Sequence, residues 1–159
     1  RWWARGHCME ARLTPEQRAA LRVVFSGQYR TGGRGERCPV RRVPLYNCWG
    51  LVMAVTSILG VPAPDVASPA VPTARAVNSL QERMLSRFIR LDAPRMGCLI
   101  ALRTHPRLTR AVNHFGVVLD GCRFVHIQKD TGVHVSRFDE QPYRRMAAGF
   151  WLPREVGHD

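Results

Sequence analysis

The chain has 159 residues, 24 Lys and Arg against 12 Asp and Glu for a formal charge of +12, and 45% hydrophobic residues. That length supports one domain with its own core, and no apolar run reaches the roughly 18 residues of a membrane-spanning helix, which is therefore excluded. Lys129 is the only lysine, and the arginines stand singly or in pairs such as Arg41-Arg42 and Arg144-Arg145. This pattern describes a solvated surface that attracts anionic polymers, not the basic tail or aromatic-glycine signature of a nucleic-acid-binding module.

Residues 1–13 are read as an extension ahead of the domain or, given Met9, as the result of an alternative start. They lack the apolar segment and small-residue cleavage site of an export signal. Thr14-Pro15-Glu16-Gln17 predicts a helix start, with Thr14 as N-cap, Pro at the first helical position and Gln17 completing a capping box, and the apolar period runs to Phe25. Between Ser26 and Pro44 the Gly, Pro and Arg residues break any period and predict an irregular surface loop.

Residues 48–59 are apolar on nearly all sides and stop at Gly60, which predicts a buried helix with Cys48 at its N-terminus. Pro62, Pro64, Pro69 and Pro72 form a short linker. An amphipathic helix is expected from Ala74 to Ile89, with Val77, Leu80, Met84, Leu85 and Phe88 facing inward as core. Strands are expected at 97–103, 114–119, 122–128, 133–137 and 149–152, separated by turns such as Asp120-Gly121. Helices followed by an antiparallel meander make an α+β fold in one domain spanning 1–159.

The five cysteines, at positions 8, 38, 48, 98 and 122, form no C-x-x-C pair, and no two histidines have helical metal-site spacing. No metal or cofactor is expected, and the odd count leaves a thiol free for chemistry. A helix N-terminus favours thiolate, and its N–H groups can receive an oxyanion, which singles out Cys48. The competing reading is a small buried core residue.

A thiol nucleophile also needs a base and a group that orients the base. A three-residue hairpin loop at Leu119–Gly121 places Val118 opposite Cys122, Gly116 opposite Phe124 and His114 opposite His126, on one face. A two-residue turn at Asp120-Gly121 instead opposes His126 to Phe115 and separates the imidazoles. Gln128, Asp130 and Asp139 are alternative orienting groups. His105 and His134 read as surface or structural.

Several segments together resemble the NlpC/P60 family of papain-like cysteine peptidases, over about residues 27–152. They are Gly27-Gln28-Tyr29-Arg30-Thr31-Gly32-Gly33, Asn47-Cys48-Trp49-Gly50-Leu51-Val52, Gly97-Cys98-Leu99-Ile100, Asn113-His114-Phe115-Gly116-Val117-Val118 and Phe124-Val125-His126-Ile127. The resemblance implies a papain-like fold and cleavage of peptidoglycan stem peptides. It implies Cys48 as nucleophile, His114 as base and then acid, His126 as the group holding the imidazole, and Tyr29 lining the site near the oxyanion.

Asn47 and Trp49 stand at substrate-binding positions where the family carries Asp and Ser. Their change removes a charge that serves free-amine recognition, and the Cys-Trp-Gly form is similar to phage-tail branches. Cys98 replaces the family's Asp in its strand. The resemblance also implies a periplasmic, secreted or virion-associated setting with wall peptide as substrate, and the positive charge suits anionic wall polymer as a further partner. Acyl transfer of transglutaminase type on the same scaffold, or a non-catalytic wall- or tail-binding module, are the alternatives.

Overall fold

An apolar helix beginning at Cys48 packs against one face of a sheet, and that contact organises the architecture. The computed structural model describes residues 13–65, 86–107 and 109–154. Helix α1, Pro15–Phe25, carries the capping box read from the sequence: Thr14 accepts from the Gln17 backbone, and the Gln17 side chain accepts from Thr14 in return. Gln17 Nε2 also donates to Ile58 O at 3.2 Å, tying α1 to the end of the second helix.

That second helix, α2, spans Cys48–Ile58 and ends at Gly60, whose φ of 79° takes the left-handed conformation that stops a helix. Trp49, Leu51, Val52 and Val55 are buried. At about 1.5–3 kcal/mol per fully buried large side chain, this face anchors the helix far more strongly than helix propensity does.

The segment expected to be irregular loop contains a small sheet. Strands β1 (Gln28–Tyr29), β2 (Arg34–Arg37) and β3 (Pro44–Tyr46) lie in the order β1-β3-β2, with β1 parallel and β2 antiparallel to β3. Such short strands are held by backbone pairing and leave no alternation to read. β3 leads directly into Cys48.

The main sheet has six strands in the order β4-β9-β5-β6-β7-β8, all neighbours antiparallel. They are β4 Phe88–Leu91, β5 Leu99–Leu102, β6 His114–Val118, β7 Arg123–Gln128, β8 Gly132–Arg137 and β9 Ala147–Pro153, with a short helix α3, Tyr143–Met146, ahead of β9. This is the α+β class expected from the sequence. One sheet face, with Leu99, Ala101, Phe115, Val117 and Val125, packs with α2 in the larger core. The other carries Cys98, Ile100, Leu102, Val118 and Phe124 against Phe138 and Phe150.

The helix expected at 74–89 requires correction at its end. Residues 74–85, and with them Val77, Leu80, Met84 and Leu85, lie outside the described residues, but Phe88 and Ile89 belong to β4. Pairing of Phe88 with Pro153 and Leu91 with Phe150 supplies backbone partners along the sheet edge and overrides the helical period. Phe88 is buried as expected, against Trp49.

Candidate functional site

Asn47 caps α2. Its Oδ1 accepts from the Gly50 N–H at 2.7 Å and from Arg34 Nη1 at 2.7 Å, and the residue is 6% exposed. Its side chain is thus committed to holding the helix start and the β2 arginine. Asn47→Ala removes both acceptor bonds and is expected to lower the unfolding free energy by about 2 kcal/mol, read from the midpoint of denaturant unfolding at unchanged slope. Asn47→Asp keeps both bonds and retains stability.

Gly50 follows because the chain at Gly33 presses on the first turn of α2. A Cβ at Gly50 would stand 2.1 Å from Gly33 O and 3.2 Å from Arg34 Cα. The β1–β2 turn therefore seats against the helix beside Cys48, and Arg34 is held there by Asn47 and by a 3.4 Å ion pair with Asp65.

Cys48 is half-buried at the head of α2. Burial pushes its thiol pKa up, opposed by the N–H groups of Trp49, Cys48 and Phe115 and by the Arg34 charge. The Phe115 amide places the sulfur beside the start of β6, one residue from His114. Trp49 acts in two ways. Its indole is 1% exposed, donates to Pro64 O and meets Phe115 and Phe88 edge-on, so the side chain is core. Its backbone N–H is the part that faces the sulfur.

His114 opens β6, and its Nε2 stands 3.2 Å from Nδ1 of His126 on β7. His126 is 1% exposed, and its Nε2 stands 3.0 Å from Ser136 Oγ on β8. The strand register differs from the expected one: Val117 pairs with Val125 and Val118 with Phe124. Asp120 causes the shift. Its Oδ1 accepts from the N–H groups of Cys122 and Arg123, moving the three-residue turn to Asp120–Cys122. The displacement is two residues, so His114 and His126 stay on one face as diagonal neighbours and not as an opposed pair.

Burial lowers the His114 pKa from 6.5 to about 4, and burial together with the charges of His114 and His134 lowers that of His126 to about 3. Both imidazoles are neutral in the folded protein near neutral pH. The unfolded chain binds more protons between those values and 6.5, so stability is complete above pH 6.5 and declines as pH falls toward 4. Thermal unfolding followed from pH 7.5 to 4.5 is expected to show this loss, and His126→Asn to show a shallower one.

The structure brings Cys48, His114 and His126 to neighbouring elements. Tyr29 lies on β1, opposite Tyr46 at the end of β3, packs against the larger core and lines a cavity of about 370 Å³ with Arg41, Lys129 and Asp130. Gln128 is exposed and bonds Tyr143 and Thr131, and Asp139 pairs with Arg137. Asp130 is exposed on that cavity. His134 faces His126 across the β7–β8 pair and bonds Thr131, while His105 accepts from the Arg107 backbone. Sequence reasoning missed Arg34 and Ser136. Alternation along β8, which puts Ser136 on the His134 face, was the available signal for the latter. Among the described residues no cluster of His, Cys, Asp or Glu could hold a metal ion.

Residues 26–152 match the model of the NlpC/P60 family. Among solved structures, NlpC2 from Trichomonas vaginalis is similar with a TM-score of 0.56 and 15% identity, over 90% of this chain and 50% of that one. NlpC1 from the same organism gives 0.51 and 18%, over 91% and 47%. A protein described as similar to lipoprotein, NLP/P60 family, from Staphylococcus aureus gives 0.50 and 16%, over 87% and 41%. The chain spans about half the length of these structures, and at such identities the likeness speaks for the fold. Curated protein sequences gave no match.

Proposed function

The chain belongs to the NlpC/P60 family, whose members are cell-wall peptidases of the cysteine type, and from that membership we propose that it hydrolyses an amide bond of peptidoglycan stem peptides. The observation that carries the reading is the hydrogen bond between His114 Nε2 and His126 Nδ1, at the end of the sheet where the Phe115 amide meets the Cys48 sulfur. With Nε2 held, Nδ1 of His114 is the nitrogen left to take the thiol proton.

Cys48 Sγ attacks the scissile carbonyl carbon as its proton passes to His114. The oxyanion is received by N–H groups at the head of α2, among them that of Trp49. Collapse breaks the C–N bond, with His114 protonating the leaving amine, and leaves a thioester on Cys48. Water, deprotonated by His114, then attacks the thioester, releasing the carboxylate and regenerating the thiol.

Mass spectrometry of defined stem peptides incubated with the chain tests this directly. A mass gain of one water across a cleaved amide, abolished by prior alkylation of Cys48, is the expected result. Intact peptide under conditions where the thiol is free and the chain folded overturns it. Incubation in isotopically labelled water adds a check, since the label must enter the new carboxylate.

A further inference from the structure

Ser136 lies on β8 opposite Phe124, and its Oγ is 3.0 Å from Nε2 of His126. We infer that Ser136 is a positioning residue that accepts the Nε2–H of His126, fixing the tautomer that makes His114 a base toward Cys48. The inference rests on the reading of Cys48 and His114 as nucleophile and base.

The count of protons sets the direction of each bond. Once His114 has taken the thiol proton, both of its ring nitrogens carry hydrogen, so Nε2 donates and Nδ1 of His126 accepts. A neutral His126 then has its one proton on Nε2, directed at Ser136. A serine hydroxyl can donate or accept; here its oxygen accepts. In the opposite series His126 carries the proton on Nδ1, His114 Nε2 accepts, and the His114 proton sits on Nδ1. The thiol then meets a donor where it needs a lone pair.

The surroundings keep His126 neutral and fixed. It is 1% exposed, stacked on Phe124 at 4.8 Å and met edge-on by Tyr143 at 5.1 Å. The titratable groups that face it among the described residues are His114 on β6, His134 on β8 and Tyr143 on α3. A second charge beside His114 or His134 is disfavoured, in line with the lowered pKa of His126. Both of its nitrogens are satisfied, since no buried side-chain nitrogen or oxygen among the described residues lacks a partner. Without the Ser136 oxygen, the buried Nε2–H loses its acceptor and the catalytic tautomer loses its advantage.

The test combines histidine ¹⁵N NMR at neutral pH with the rate of Cys48 alkylation by iodoacetamide, in the parent, Ser136→Ala and Ser136→Thr. The parent is expected to show His126 as the Nε2–H tautomer. Ser136→Ala should shift it toward Nδ1–H and slow alkylation about tenfold, and Ser136→Thr should restore both. Parent His126 protonated at Nδ1 overturns the inference. So does a Ser136→Ala protein whose tautomer and alkylation rate are unchanged. If the parent cleaves no stem peptide while the NMR and alkylation behave as expected, the substrate assignment fails and the role of Ser136 stands.

Discussion

Cys48→Ala is expected to reduce stem-peptide hydrolysis to the uncatalysed background, and His114→Ala to lower kcat by about 10³-fold or more. In the proposed reaction the two act on one event, the transfer of a proton from sulfur to imidazole as the new bond forms. The double variant is therefore expected to be no worse than Cys48→Ala alone. The single changes differ in their structural cost. Alanine at Cys48 removes one half-buried sulfur at a helix start held by Asn47 and the Gly33–Gly50 contact, so thermal stability stays near the parent value. Alanine at His114 leaves Nδ1 of buried His126 without its partner, and a modest loss of stability accompanies the loss of rate. Rates from quantified cleavage products, set beside unfolding midpoints, separate the two effects. A Cys48→Ala protein that cleaves at the parent rate ends the catalytic reading.

Gly50→Ala is expected to be the most damaging single-methyl change near the site. The added carbon would meet a backbone carbonyl, Gly33 O, at 2.1 Å, and backbone cannot yield by rotating a side chain. Relief requires the β1–β2 turn and α2 to separate, which disturbs the Arg34–Asn47 bond and the head of the helix together. Overpacking of this kind costs about 1–3 kcal/mol or more. Activity should fall beyond what the lost stability explains, because the displaced element carries Cys48, the nucleophile of the proposed reaction. Gly60→Ala is the informative control: it strains a left-handed backbone position but has open space around it, and should lower stability without a specific effect on turnover.

The helix at Cys48 and the strands from 99 to 153 were legible because their signals are local: an apolar run ending in Gly, and short β-rich segments divided by turn residues. The small sheet at 28–46 was not, since two- to four-residue strands carry too little pattern. β4 was read as helix because its identity comes from β9, some sixty residues away. The histidine pair shows how a turn can be misplaced and the face still be right. Asp120 moved the turn by one position and the pairing by two, and side chains on a strand repeat every two. The family resemblance puts Asn47 and Trp49 at substrate-binding positions. Their side chains turn into the cap and the core, which only the packing of β2 and of Phe88 and Phe115 reveals. Arg34 was invisible for the same reason, since its partner lies thirteen residues away.

β9 enters the main sheet between β4 and β5, although it is formed by the last strand of the described chain. Leu91 and Ile100, which precede it by roughly fifty residues or more, both wait for Phe150. During synthesis the segment bearing both imidazoles emerges while one flank of its supporting strand is still bare. Any trimmed or fused version that omits the 147–153 stretch loses an interior strand, and with it a partner of both β4 and β5, and not merely an edge.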